Sequence, residues 1–338
     1  MRNYIGIDFH LQHSSVAVMD ESGKVTDERK LYHTKVEEIK EYFSRFPKDT
    51  EIAIEATRNW YWIVDLLQDM GLMVRLVNPK KTRIIAESTV KTDKIDARTL
   101  AHLTRCKFLP ESYIADRLTR DNRELLRYYM HVVRVRASLK NRIHALLAKN
   151  NIHHGFTDLF GIGGREYLDQ LELSPVYKNQ LEGYLSLIDS FTEKINKLKK
   201  QITAIGKGNK YVSLLLTVPG IGYFGALLIA SEIGEIERFK SAKKLSSYAG
   251  LTSSTRQSAD KAYHGHINKD SNKYIRYVLT EAVPLATKKD HKLWEFFMAQ
   301  KGKKGRGSAV MATARKMMVS IYHMLKRNES YRMNDGLR

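Results

Sequence analysis

Tyr4-Ile5-Gly6-Ile7-Asp8-Phe9 opens the chain with an apolar run that ends in a carboxylate. A short run of this kind reads as a buried strand. A second strand is expected over Ser15–Met19, then a turn at Asp20-Glu21-Ser22-Gly23 and a third strand over Lys24–Leu31. Val36–Phe46 has helical spacing and stops at Pro47. Glu51-Ile52-Ala53-Ile54-Glu55 then repeats the opening pattern, again closing on a carboxylate. A helix over Trp60–Met70, a fifth strand over Met73–Val77 and a helix begun at Asn78-Pro79 follow. Three consecutive strands, then alternating helix and strand, predict a mixed α/β sheet.

Open α/β sheets bind their ligands at the carboxyl ends of strands. Asp8 and Glu55 fall there, and they share one crevice if the first and fourth strands are neighbours. Downstream, Lys91-Thr92-Asp93-Lys94-Ile95-Asp96-Ala97-Arg98 sets two carboxylates three residues apart, on one face of a helix. Like charges that close are unfavourable unless a cation sits between them or water screens them. Asp8, Glu55, Asp93 and Asp96 make an oxygen set with no nearby cysteine or zinc-type histidine group, which suits Mg²⁺ or Mn²⁺. A pair of such ions about 4 Å apart can activate one oxygen and stabilise another in phosphoryl transfer. Taken singly, Asp8 reads as a turn cap, Glu55 as a partner of Arg58, and Asp93 with Asp96 as a helix cap. The ordered set of four favours the metal site.

The charge of the chain names a class of partner. Its 338 residues carry 57 Lys and Arg against 37 Asp and Glu, a formal net charge of +20, which points to a polyanion such as nucleic acid. Cys106 is the only cysteine, so no internal disulfide forms and no cysteine-based zinc site exists. No apolar run is long enough to span a membrane, and the N-terminus lacks a signal-peptide layout, so a cytoplasmic protein is expected.

After Pro110 the pattern changes. Asp116–Asn150 reads as one long helix with Leu125, Tyr128, Val132, Val135 and Leu139 spaced three and four apart. A glycine-rich break and a short helix over Glu166–Leu173 lead to a second long helix from Pro175. Along it Leu181, Tyr184, Ile188, Phe191, Ile195, Leu198, Ile202 and Ile205 form a heptad seam, a coiled-coil signal that allows pairing within one chain or between chains. Pro219-Gly220-Ile221-Gly222 precedes an apolar helix over Phe224–Ile233 and resembles a helix-hairpin-helix turn. Its backbone N–H groups at Gly220 and Gly222 can hold a phosphate without reading sequence. Further cations for phosphate contact are Arg256, Lys261, Lys269 and Lys273. Gln300–Gly307 reads as a flexible basic loop carrying Lys303, Lys304 and Arg306. His264 and His266 have strand spacing and lack a third ligand. Helices are expected over Asn272–Thr287 and Ser308–Lys326.

The order strand-Asp8, strand-Glu55 with Ala56-Thr57, Asn78-Pro79, then Asp93-Lys94-Ile95-Asp96-Ala97-Arg98 resembles the DEDD transposases of the IS110 family. The resemblance covers nearly the whole chain. It implies a RuvC-like, ribonuclease H-type N-terminal domain over 1–115 and long coiled-coil helices for dimerisation over 116–206. A mainly α-helical transposase domain is implied over 207–338. In that last domain Gly250-Leu251-Thr252 and the spacing after it put Ser258 in the place of the family's catalytic serine. Three positions depart from the family's usual residues: Arg58 stands where glycine is common, Ala259 where glycine follows the serine, and Arg256 where an aromatic residue is common. The implied activity is DNA strand cleavage and exchange through a phosphoserine intermediate, with Mg²⁺ or Mn²⁺ at the four carboxylates. The implied partners are element and target DNA, a structured non-coding (bridge) RNA, and further copies of the chain as a dimer or, on DNA, a tetramer. The implied setting is the prokaryotic nucleoid.

Other readings make different demands. A RuvC-like nuclease that uses water leaves Ser258 idle, and an invertase of the same family changes only the DNA outcome. A nucleotide phosphotransferase needs glycine-rich phosphate loops, which Phe9–His13 and Asp20–Gly23 do not supply. A non-enzymatic nucleic-acid scaffold has no use for the carboxylates.

Overall fold

The computed structural model describes residues 2–85, 92–258, 261–267 and 271–333, with backbone alone at 255–258, 261, 262, 264 and 266. Contacts group the chain into two units, Met1–Ala115 and Asp116–Arg338.

The first unit holds β1 (Tyr4–Phe9), β2 (His13–Met19), β3 (Val25–Tyr32), α1 (Val36–Ser44), β4 (Glu51–Glu55), α2 (Tyr61–Asp69), β5 (Met73–Val77), α3 (Pro79–Ile85), α4 (Asp93–Arg105) and β6 (Glu111–Ser112). Its six-stranded sheet runs β3-β2-β1-β4-β5-β6. The central strands β1, β4 and β5 are parallel, and β2, β3 and β6 run antiparallel to their neighbours. This mixed sheet is the expected one, consistent with a ribonuclease H-like fold. The two-residue edge strand β6 carries no sequence signal and was not expected.

Register explains how the sheet aims its carboxylates. Ile5 pairs with Ile52 and Ile7 with Ile54, so Asp8 and Glu55 come next on adjacent strands. Side chains alternate between faces. Ile5, Ile7, Ile52 and Ile54 pack with Ile39, Phe43, Ile63 and Leu67 from α1 and α2. Gly6 and Ala53 lie under α4 on the opposite face, with Ala53 against Leu100. Asp8 and Glu55 share that face by the same alternation. A Cβ at Gly6 would stand 2.0 Å from the carbonyl oxygen of Ala97 and 2.4 Å from the nitrogen of Ala101. Only glycine lets α4 lie this close to β1, and the close approach brings the first turn of α4 to the end of β1.

The second unit is helical apart from one hairpin. It holds α5 (Arg117–Lys149), α6 (Ile162–Gln170), α7 (Pro175–Lys207), α8 (Lys210–Leu215), α9 (Tyr223–Ile233), α10 (Ala242–Tyr248), β7 (Ser253–Ser258), β8 (Lys261–Ile267), α11 (Lys273–Lys289) and α12 (His291–Arg327). The heptad seam is spent inside the chain. Leu181, Ile188, Ile195 and Ile202, each seven residues apart, are all buried. Leu181, Leu185 and Ile188 pack with Ile143, Leu146 and Leu147, whereas Ile195 and Leu198 pack with Val132. The helices α5 and α7 are therefore antiparallel partners. Tyr128, expected on the seam, is instead exposed, with the Lys194 ammonium 5.9 Å from its ring centroid. The far ends of both helices enter the main core with α9, α11 and α12, where Leu126 and Ile202 meet Leu227, Leu279 and Ile321.

The basic segment Gln300–Gly307 is a second correction. It lies within α12 and is broken only at Gly305, whose φ of 78° and ψ of 168° are non-helical. Burial of Leu293 before it and of Ala309, Thr313 and Ala314 after it anchors both sides. That anchoring offsets the roughly 1 kcal/mol of helix propensity each glycine gives up. The short helix α6 begins at Ile162, four residues ahead of its expected start.

Candidate active site and nucleic-acid interface

The first turn of α4 is capped by Thr92, whose Oγ1 accepts a hydrogen bond from the Ile95 N–H at 3.3 Å. This sets Asp93 and Asp96 inside the turn, where the helix dipole favours negative charge. Neither is the cap. Asp8 is buried at 5% exposure. Burial pushes its carboxyl up to about 6, His10 pulls it back, and Asp96, Asp93 and Glu55 each push it higher. Three carboxylates from β4 and α4 are thus close enough to disfavour a fourth on β1. Asp96, Asp93 and Glu55 lie near enough to Asp8 to act on its charge, whereas the ligand atoms that lie within 4.8 Å of one another are those of His10, His13 and Asp93.

The structure thus brings in histidines that the sequence reading set aside. The expectation of no histidine group near the carboxylates is corrected by the tight β1–β2 turn. There the His10 N–H donates to the His13 carbonyl at 3.0 Å, and the two imidazoles lie 4.8 Å apart. His10 Nε2 is 3.1 Å from Asp8 Oδ2 and 3.3 Å from Asp93 Oδ2. His13 Nε2 is 3.4 Å from Asp93 Oδ2, and this contact holds the Asp93 carboxyl below its ordinary value. His33 braces the turn: its Nδ1 donates to the Leu11 carbonyl at 3.1 Å, leaving Nε2 to accept from Ser14 Oγ at 2.8 Å. The signal for this group was Asp8-x-His10-x-x-His13 across a two-strand turn, which is legible once the turn is assumed.

Negative charges this close fit a divalent cation, which would remove the mutual repulsion felt by Asp8. His10 Nε2 supplies a second test. It is shielded from water and has no aligned hydrogen-bond partner, which leaves the nitrogen open to an ion. Asp8, Glu55, Asp93 and Asp96 are the residues that would hold it.

In the second unit, β7 and β8 form an antiparallel hairpin in which Ser258 pairs with Lys261. The side chains of Ser258, Arg256, Lys261, His264 and His266 lie outside the described residues, as does all of Lys269. Among the helices that flank the hairpin lies Glu232, 2% exposed on the otherwise apolar α9. Arg127 Nη2 lies 2.9 Å from Glu232 Oε1, Arg123 Nε lies 3.7 Å from Oε2, and Asn272 Nδ2 donates to Oε2 at 2.8 Å. Asn272 caps α11 and its N–H donates to the Tyr248 carbonyl at 2.7 Å. Sequence reasoning missed this network. Its signal was the lone acid in Tyr223–Ile233.

Comparison with known proteins finds matches over most of the chain. The IS110 DEDD transposase model matches residues 5–151, and the model of the IS116/IS110/IS902 transposase family matches residues 212–297. The chain belongs to the IS110 family of transposases. Over 351 aligned residues it is 24% identical to the transposase for insertion sequence element IS1111A of Coxiella burnetii, covering 97% of this chain and 91% of that protein. A probable family 20 transposase of Pseudomonas aeruginosa is 24% identical over 284 residues, 81% of either chain. A pilin gene-inverting protein of Moraxella bovis is 29% identical over 147 residues, 42% of this chain and 45% of that protein.

Membership in the IS110 family makes DNA the partner and DNA cleavage with strand transfer the general activity. The residues expected to hold DNA are placed as follows. Gly220 has a φ of +84°, and a Cβ there would meet the Ala282 carbonyl oxygen at 2.6 Å, so packing against α11 already requires glycine. Gly222 is the N-cap of α9 and is open above. Lys273 begins α11 with its ammonium 5.3 Å from the Tyr274 ring centroid. Lys303, Lys304 and Arg306 are exposed on either side of the break in α12. Among the described residues no helix is long and apolar enough to cross a membrane.

Proposed function

We propose that this IS110-family transposase cuts and rejoins DNA through a covalent serine intermediate, with Mg²⁺ or Mn²⁺ held by Asp8, Glu55, Asp93 and Asp96. The single observation that carries the reading is the buried Asp8, raised to about 6 in the company of the other three carboxylates. A buried carboxyl set among like charges is a mark of a functional site, and a bound cation would relieve the repulsion. The Ser258 hydroxyl oxygen attacks a DNA phosphorus, its proton leaves to a base, and the bond to the DNA 3′ oxygen breaks. The product is a phosphoserine ester and a free 3′-hydroxyl. The ester conserves the bond energy, so a second 3′-hydroxyl can reverse the step on a new partner. A bound dication supplies charge stabilisation for this transfer. Lys261, Arg256, Lys269 and His264 neighbour Ser258 in sequence and are candidates for phosphate neutralisation and proton transfer.

The remaining roles follow the same reading. Gly220, Gly222, Lys273, Lys303, Lys304 and Arg306 are assigned to DNA phosphates. The net charge of +20 suits a protein that holds DNA together with an element-encoded bridge RNA, with base pairing supplying specificity. A homodimer, assembling to a tetramer on DNA, is proposed, with residues 1–115 as the metal domain, 116–206 as the bridging helices and 207–338 carrying the serine. A cytoplasmic, nucleoid-associated location follows from the DNA partner. Inversion is the second reading of the outcome, supported by the likeness to the pilin gene-inverting protein.

The test is a trapping assay. The protein is incubated with Mg²⁺, labelled element-junction and target DNA and the element's non-coding transcript, then denatured. A protein–DNA adduct is expected that is lost in Ser258→Ala and in Asp8→Asn. Cleaved DNA without an adduct, unchanged in Ser258→Ala, would replace this reading with a hydrolytic nuclease.

A further inference from the structure

We propose that His10 and His13 join Asp93 in a nitrogen-bearing metal site, one that takes a transition-metal dication of the Mn²⁺, Co²⁺ or Zn²⁺ class in preference to Mg²⁺. The candidate ligand atoms, His10 Nε2, His13 Nε2 and Asp93 Oδ2, all lie within 4.8 Å of one another. Two ligands that share an ion at about 2.1 Å stand roughly 3.0 Å apart at a right angle and roughly 3.4 Å apart at the tetrahedral angle. The His10–Asp93 separation is 3.3 Å and the His13–Asp93 separation is 3.4 Å. Asp8 Oδ2, 3.1 Å from His10 Nε2, falls in the same range and offers a fourth ligand.

The surroundings distinguish this group from a chance surface cluster. His10 Nε2 is out of reach of water and has no aligned hydrogen bond, although two carboxylate oxygens lie within 3.3 Å of it. An imidazole that served only as a counter-ion would aim an N–H at one of them. The scaffold is rigid on both sides. The His10–His13 turn is closed by its own backbone bond and braced by His33, which stacks on Phe9 with ring centroids 4.7 Å apart. On the other side Asp93 is fixed by the capped first turn of α4. Preorganised ligands on two secondary-structure elements are what a metal site needs.

The donor set selects the ion. Mg²⁺ takes oxygen ligands and keeps much of its water, whereas imidazole with carboxylate suits the later divalent ions. The inference rests on the proposed active site for the ion's use in DNA cleavage, but not for its ligation. It makes the histidine pair the part of the site that determines metal preference.

The experiment uses the full chain with MnCl₂ or CoCl₂ alone. Electron spin-echo spectra of the Mn²⁺ protein are expected to show ¹⁴N coupling, and Co²⁺ is expected to give a visible d–d spectrum. In His10→Ala/His13→Ala the coupling is expected to vanish and Co²⁺ affinity to fall at least about 100-fold. His10→Gln, which preserves side-chain size, guards against a folding defect and should weaken the coupling by itself. Absence of ¹⁴N coupling in the native protein, or its persistence in the double variant, would overturn the assignment. If Mg²⁺ still supports DNA cleavage in that case, only this inference falls. Coupling present with no DNA cleavage under any metal would leave the site standing and remove the proposed function.

Discussion

Asp8 and Glu232 are both carboxylates closed off from water, one in each unit, and the protein treats them in opposite ways. Glu232 has two guanidinium groups and an amide within reach, so its charge is answered by the chain. Glu51 is answered likewise by Arg2 and Arg75, each at 3.0 Å. Asp8 has one imidazole and three further carboxylates. A buried charge that the fold answers itself organises structure, as Glu232 does by tying α9 to α5 and to the start of α11. A buried charge set against like charges leaves the answer to a ligand.

The contrast can be broken most severely at Glu232. Glu232→Gln leaves Arg123 and Arg127 partly buried without their anion, and a loss of about 3–5 kcal/mol is expected in urea unfolding. At Asp8 the same kind of change should have the opposite sign. Its folded value of about 6 lies above the ordinary 3.8. Below the ordinary value both states hold the proton and Asp8 contributes nothing. Between the two values the folded state holds more proton, so stability falls as pH rises, and the full penalty stands above about pH 6. Asp8→Asn should therefore stabilise the metal-free protein by about 2–3 kcal/mol at pH 8 and leave it unchanged at pH 3.5. Unfolding in EDTA at the two pH values checks this. Equal effects at both would show that Asp8 is not set against its neighbours.

Metal should sharpen the contrast. An ion must displace the Asp8 proton, so Mn²⁺ affinity measured by calorimetry is expected to fall by about fivefold from pH 6 to pH 5. Glu232→Gln should leave that ratio intact. The smallest effect is expected at Thr92. Thr92→Ala removes the cap of α4 and about 1 kcal/mol of stability. Mn²⁺ affinity should weaken alongside, because the same turn carries Asp93 and Asp96.

Much of the first unit was legible because its signals are local. Ile5-Gly6-Ile7-Asp8 and Ile52-Ala53-Ile54-Glu55 each state a buried strand, and Asp93-x-x-Asp96 states a helix face. The edge strand β6 was not legible, since two residues carry no period. The histidines were missed because His10 and His13 gain meaning only when a turn folds them against Asp93, eighty residues away. The basic segment in α12 looked like a loop because Gly302, Gly305 and Gly307 disfavour helix. Packing on both flanks overrode that preference, with the break confined to Gly305.

The sequence by itself determined the first five strands, the long helices α5 and α7, and that the partner is a polyanion. Those are properties of period, spacing and summed charge, which need no knowledge of distant neighbours. Only the tertiary structure decided that the heptad seam of α7 closes on α5 within the chain. Any apolar stripe satisfies the pattern, and the nearest complementary stripe fills it. The tertiary structure also decided which buried acids are compensated. That depends on cations and carboxylates far apart in sequence meeting in a medium where charge is weakly screened.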